Sequence, residues 1–379
     1  MTDVGIGARV REAMSDHGIK QVELARRVEM AEDALSRAIN GKRGFASIEL
    51  ARIAEVLSVD IHWLITGEPD PLAVRFVARH SYDAERRAYE NHGEDADQEI
   101  RDVVELAYRQ AQPWLGHQTT GLPGSVDAVR EALGPDFVRS FADATEQLLG
   151  VDVLRLPGLS TAYSFVIKDR RVAVLGTNAN WFRSNWDLAH EIGHLVHQDA
   201  DVANNRPDDV TERRANRFAA ELLLPRAVLA AVNWEVAGED EVASFLWRTG
   251  VSTAALKNRL NALELPAPAC LNVAPLPATQ ALLRRHQVTL PAETLPNSDL
   301  PVLDQITHRM TAAAERRVPA DLATALFAGV AAGRLNPGAL NWLLGVADDE
   351  AAGETAVPQP ADEMSAVELM DMLGVRVAP

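Results

Sequence analysis

Apolar positions recur at helical spacing through the first 67 residues, in IGARVREAMSDHG, KQVELARRV, AEDALSRAING, SIELARIAEVL and DIHWLITG, with Gly18, Gly41 and Gly67 as stops. That period marks short amphipathic helices, and five of them predict a helical unit over residues 1–68. More polar helices fill a linker region at 69–150, EIRDVVELAYRQAQ the clearest, with a Gly/Pro break at GLPG. From residue 151 the period changes: VDVLRLP, TAYSFVIKD and RRVAVLGTN read as strands, the last two joined at Asp169-Arg170. Two helices are expected at roughly 185–199 and 209–223, followed by EVASFLWRTGVSTAALKNRLNAL, so that residues 151–265 form one α+β domain. Pro and Ala crowd residues 264–301, which predicts a linker or irregular lobe over 266–301. Residues 302–379 read as a C-terminal helical module that ends in a loose Ala/Pro/acidic tail; its helix, Gly-containing turn, helix pattern suits a small interaction or DNA-binding-like module, core packing explains the apolar spacing equally well, and no chemistry is assigned to it. The expected fold class is mainly α with one small α+β domain, in a multidomain chain.

Composition narrows this picture. At 379 residues and 47% hydrophobic, the chain can fill several cores. Cys270 is its only cysteine, so there is no internal disulfide and no cysteine-rich metal site. Any metal must sit on His, Asp or Glu. No run of about 18 apolar residues and no basic-then-apolar leader occurs, so the expectation is a cytoplasmic protein without a membrane partner. A net charge of −17 argues against non-specific coating of nucleic acid. The first 67 residues are nearly neutral, with nine basic against ten acidic residues, which leaves room for a local DNA-reading module.

Chemistry concentrates in DLAHEIGHLVH, residues 187–197. The pattern Ser184-Asn185-Trp186-Asp187 resembles a capping box, so a helix starting there would put His190 and His194 one turn apart on one face. Two imidazoles at that separation can grip one zinc ion, and Glu191 is placed to take a proton from water held there. A catalytic zinc needs a third protein ligand. The next helix, DVTERRANRFAAELLLP, offers Glu212 and Glu221, which lie half a turn out of phase. Glu212 shares an inward stripe with Asn216, Ala219 and Leu223, where a buried carboxylate demands a cation; Glu221 sits with Arg214 and Arg217, as in a solvent ion pair. Glu212 is therefore the better ligand, with Asn216 available to hold a histidine's other nitrogen. His197, one turn past His194, is a spare ligand or a packed or substrate-side residue. The other seven histidines are scattered and carry no role.

The two motifs WDLAHEIGHLVH and ERRANRFAAELLLP resemble the ImmA/IrrE family of zinc metallopeptidases over about Val151 to Leu265. The resemblance implies a zincin-type catalytic domain, zinc on His190, His194 and Glu212, and Glu191 as general base. It also implies a protein substrate, since known members cleave repressors of the Cro/lambda type in stress response or mobile-element transfer. Gluzincin-like peptidases hold substrate as an added strand, for which Val172 to Thr177 is the candidate edge. Tyr163, Arg183 and His197 are candidate donors to the oxyanion of the transition state.

In the first domain, QVELARRVEMAEDALSRAINGKRGF reads as helix, turn, helix, and residues 5–66 resemble Cro/lambda-repressor-type domains of the XRE kind. That resemblance implies a reading helix from about Ala31 to Ile39 and a phosphate contact at Gln21. Ser36, Arg37 and Asn40 could reach bases or backbone, and Lys42 and Arg43 phosphates. Glu32 and Asp33 depart from a basic reading end and weaken attraction to the backbone. The expected partner is operator DNA, bound as a homodimer on an inverted repeat. The expected function is a DNA-binding regulator fused to a zinc endopeptidase; the alternative is a transcription factor whose zinc domain only senses a signal or stabilises the fold.

Overall fold

A computed structural model describes residues 5–57, 59–68, 75–78, 81–83, 88–90, 94–118, 120–198, 209–286, 302–346 and 376–377. Contacts divide the chain between Ala73 and Val74 into two units. The acidic tail and residues 287–301 of the expected linker lie outside the described residues.

The N-terminal unit holds the five helices its periodicity predicts: α1 (Ile6–Asp16), α2 (Gln21–Arg27), α3 (Glu32–Ile39), α4 (Ser47–Val56) and α5 (Ile61–Thr66). One residue from each heads the core, Val10, Leu24, Leu35, Ile53 and Leu64, all fully buried. Gly7 sits where α1 crosses the end of α3, and a Cβ there would lie 2.1 Å from the Ile39 carbonyl oxygen, so only glycine allows this approach. Helix α5 is closed at both ends. The Asp60 carboxylate accepts from the His62 amide at 2.7 Å, and Arg9 donates to the carbonyls of Leu64 and Ile65 at 2.9 and 2.7 Å.

The second unit is a mixed sheet between two helical layers. Its elements before the sheet core are β1 (Arg75–Ala78), the β2 (Ser81–Asp83) and β3 (Ala88–Glu90) pair, α6 (Glu94–Ala111), α7 (Val126–Leu133) and α8 (Phe141–Leu149). Next come β4 (Val151–Leu156), β5 (Tyr163–Ile167), β6 (Arg170–Gly176), α9 (Trp181–His197), α10 (Asp209–Leu223), α11 (Arg226–Ala230), α12 (Glu239–Thr249), α13 (Thr253–Ala262) and α14 (Thr279–Arg285). The chain closes with α15 (Val302–Ala314), β7 (Arg317–Val318), α16 (Ala320–Ala331), α17 (Gly338–Leu344) and β8 (Arg376–Val377).

The sheet runs β1-β5-β6-β4-β7-β8, with β4 and β6 parallel and β5 antiparallel to β6. Alternate residues of each central strand feed different cores. Val153, Ala173 and Leu175 face α9 and its neighbours, whereas Leu154, Phe165, Val172 and Val174 face α6, α16 and α17. Burial on both faces explains the near-continuous apolar runs of β4 and β6. The C-terminal helices complete both layers: Ile306 and Met310 of α15 join the first core, Leu322 and Leu343 the second. Where it is described, the Pro/Ala-rich stretch also packs, through Leu271 and through Leu282 and Leu283 of α14. No described helix is long and apolar enough to cross a membrane.

Two sequence expectations need correction. Helix α9 starts at Trp181, three residues before the proposed capping box, because Asn180 accepts from the Arg183 amide at 3.2 Å and caps it. Ser184 and Asn185 are instead buried inside the helix, Asn185 donating to the Gly250 carbonyl at 3.0 Å. The second correction concerns the strand before α9: β6 is central, paired on one side with β5 and on the other with β4, so Val172 to Thr177 offers no free edge. Even β5 is covered, since β1 pairs with it from Arg75↔Val166 to Ala78↔Tyr163.

Candidate functional site

Helix α9 packs under β5 and β6 through Leu188, Ala189, Ile192 and Leu195, and α10 lies along it. Gly193 sets their separation. A Cβ at that position would stand 3.1 to 3.2 Å from Phe218 and Ala215, closer than most packed Cβ contacts, so a side chain there would press α10 outward by a few tenths of an ångström. The result is that Glu212, in the first turn of α10, reaches the histidines of α9.

His190 and His194 bring their Nε2 atoms to 3.0 Å. The Glu212 carboxylate places Oε2 3.3 Å from His190 Nε2 and Oε1 3.6 Å from His194 Nε2. Among the described residues, these three form the one group of His, Cys, Asp or Glu able to hold a metal. Ligand atoms about 2.0–2.1 Å from a tetrahedral zinc stand about 3.3–3.4 Å apart, and the three separations bracket that spacing. The chemistry agrees. His190 Nδ1 lies 3.2 Å from Asn216 Oδ1, and an amide oxygen only accepts, so the ring proton belongs on Nδ1 and Nε2 turns a lone pair inward. Two imidazole nitrogens and a carboxylate converging in a dry site suit a cation. His190, Glu191, His194 and Glu212 are each at most 1% exposed.

The other candidates separate. His197 is half-buried one turn on, its ring edge against Phe218 at 5.9 Å, and is not in the three-residue group. Tyr163 is fully buried on the opposite core side of the sheet, where its hydroxyl donates to Asp97 at 2.5 Å; strand alternation turns it away from α9 and removes it as an oxyanion donor. Arg183 is exposed, 3.6 Å from Asp187 one turn along. Glu221 is not the solvent partner of Arg214 or Arg217: it accepts from Arg259 of α13 and from the Arg226 amide at 3.1 Å, tying α10 to the elements that follow it. Asp187, expected in the capping box, is instead buried inside α9 one turn before Glu191.

In the N-terminal unit, Gln21 is the first residue of α2 and half-buried. On α3, Arg37 is exposed with Asp33 at 3.4 Å, and Ser36 is half-buried. Asn40 uses its amide to cap the Ser36 carbonyl at 2.8 Å, and Lys42 is exposed beyond the helix end. Arg43 is engaged inside the unit, bonded to the Ala34 carbonyl at 3.3 Å and ion-paired with Glu49. The Ala46 amide, with Arg43, in turn holds the Glu49 carboxyl below its ordinary range. Arg37 and Lys42 are thus the cations of this set that face outward.

No curated protein matches the chain. Residues 10–64 match the helix-turn-helix family HTH_3, and residues 146–261, which contain the His190, His194 and Glu212 group, match Peptidase_M78, the IrrE N-terminal-like domain. Outside both matches lie α6, α7 and α14 to α17. The architecture is that of a helix-turn-helix DNA-binding domain joined to a peptidase-family domain.

Proposed function

We propose that the protein is a DNA-binding transcriptional regulator whose second unit is a zinc-dependent endopeptidase acting on another regulatory protein, a repressor by the ImmA/IrrE resemblance. The observation that carries this reading is the convergence of His190, His194 and Glu212, with Glu191 next to His190 on α9 and equally buried. In this reading His190, His194 and Glu212 hold zinc, and Asn216 fixes the His190 ring. Zinc bound there supplies a Lewis acid that acidifies water and polarises the scissile carbonyl. Glu191 takes the proton of the attacking water and returns it to the leaving amine. In the N-terminal unit α3 reads an operator as part of a homodimer, with Arg37 reaching a base and Gln21 and Lys42 positioning the backbone.

A second reading has an observation of its own. All four polar residues of the centre are at most 1% exposed, which favours a zinc that stabilises or senses rather than one open to substrate. Against it, a structural zinc usually has four protein ligands, and it has no need of Glu191.

Glu191→Gln separates the two readings, because it keeps size and hydrogen-bonding reach but removes the base. The full chain and the variant are expressed beside repressors encoded near the gene, and cleavage, zinc content and operator binding are measured. The peptidase reading expects zinc and operator binding to survive while cleavage slows about 10²- to 10⁴-fold. Equal cleavage by both proteins, or unchanged gene induction with zinc still bound, sinks it and leaves the sensor.

A further inference from the structure

A cavity of about 230 Å³ lies beside the first half of α9 and is lined by residues other than the His190, His194 and Glu212 group. Arg139, Arg155, Arg309 and Arg317 line it with His308, and Asp143 is the single carboxylate among the described lining residues. The four arginines come from four separate elements, the short 3-10 turn at 137–140, β4, α15 and β7. Such a gathering stands out in a chain of net charge −17.

The guanidiniums are held in place. Arg317, 4% exposed, bonds Asp143 at 2.8 Å and Glu146 at 2.7 Å. Arg155 donates to the Ala312 carbonyl at 2.8 Å. Arg309, 8% exposed, lies over a pair of indoles that touch each other, 4.3 Å from the Trp181 ring centre and 4.7 Å from that of Trp247. Asp143 and Glu146 already answer Arg317, and among the described lining residues cations still outnumber carboxylates, which suits an anion.

A second feature points the same way. Residues 140–143, the N-terminal turn of the nine-residue helix α8, form part of the wall, and the Ser140 side chain makes no capping bond. The amide end of a helix carries partial positive charge and is itself an anion site.

We propose that this cavity binds a small oxyanion carrying two or more negative charges, a phosphate or a polycarboxylate, and that the ligand stiffens α9. Guanidinium forks match the paired oxygens of both groups. The volume suits a small anion, being below the roughly 300–1,000 Å³ typical of sites for drug-sized ligands. Coupling to α9 follows from the lining: Trp181, Ser184, Asn185 and Leu188 form one helical face of it, and His190 follows two residues later. Gln305, His308, Arg309 and Arg317 lie beyond the Peptidase_M78 match, so the site is built partly from elements this chain adds to that domain. Neither binding nor stiffening depends on the peptidase reading.

The test titrates the full chain calorimetrically with inorganic phosphate and, separately, with citrate, at constant ionic strength. The result expected is one saturable site for at least one of them, phosphate alone pointing to a phosphate ligand and citrate alone to a polycarboxylate. Arg139→Glu, at the exposed mouth, should weaken it about tenfold or more, while Arg248→Glu, the same charge change outside the cavity, should not. Hydrogen exchange of the α9 amides should slow on adding the anion to the wild type and remain unchanged in Arg139→Glu. Absence of saturable binding by either anion overturns the proposal. Equal weakening by Arg248→Glu reduces the effect to general charge and overturns it too; binding without protection of α9 removes the coupling.

Discussion

Among its described residues the N-terminal unit buries one ionisable side chain, Arg9, and gives it two helix-end carbonyls. Its ion pairs are exposed, as Arg27 with Glu23 and Arg52 with Glu29, or at most half-buried, as Arg43 with Glu49. The second unit does the opposite. It buries His190, Glu191, His194 and Glu212, pairs Arg170 with Asp152 at 2.8 Å inside the second core, and sets Arg317 against Glu146. Removing an ionised group from water costs several kcal/mol unless pairing and hydrogen bonds offset it. A helical unit that works by presenting side chains outward has no reason to accept that cost. A unit that gathers reactive groups in a dry centre must accept it, and its internal salt bridges brace the sheet on which α9 rests.

Mutations can break this contrast, and the largest effect is expected at Asp152. Asp152→Ala leaves Arg170, whose side chain is 4% exposed, with Asp321 at 3.1 Å as its remaining carboxylate. Loss of about 3–5 kcal/mol is expected in denaturant unfolding of the second unit. A loss under about 1 kcal/mol would show that the buried pair contributes no more than a surface one.

Glu146 sharpens the contrast through pH. Burial, only partly offset by Arg317 and the Val153 amide, pushes its carboxyl from 4.5 up to about 7. Between those values the folded chain keeps a proton that the unfolded chain has released, so the unfolded state binds fewer protons and stability falls as pH rises. The contribution is complete below pH 4.5 and gone once pH has risen through about 7. It amounts to roughly 3 kcal/mol at most. Unfolding of the wild type and Glu146→Gln at about pH 5 and about pH 8 should show the wild type losing stability relative to the variant. A pH-independent difference would contradict the shift.

A smaller effect is expected at Asn216. Asn216→Ala frees the His190 ring and should weaken zinc binding about 10- to 100-fold in competition with a chelator, with folding retained. Unchanged affinity would mean that the surrounding packing alone orients the ring. Smallest of all is the change in stability from Arg37→Ala, within about 0.5 kcal/mol, because its charge faces solvent. The same substitution should weaken specific operator binding by about 1–3 kcal/mol if Arg37 reads a base. Equal weakening on random duplex would make it a phosphate contact.

What the chain determines by itself is local. Helical periodicity marks the five short helices of the first unit, and α10 runs from Asp209 to Leu223 as its pattern predicts, since side chains three and four apart meet on a helix whatever lies elsewhere. The spacing of His190, Glu191 and His194 is legible for the same reason. Tertiary structure decided the rest, because the partners are remote in sequence. Asn185, placed by the pattern in a capping box, is drawn into the core by the Gly250 carbonyl, and the local cap falls to Asn180 instead. The period-2 pattern of β6 tells which residues share a face, but only the pairing of β4, β5 and β1 decides that it is central. Tyr163 reaches Asp97 and Glu221 reaches Arg259, partners 66 and 38 residues away that no local pattern announces. Four arginines of one cavity come from positions between 139 and 317, and no window of sequence contains them together.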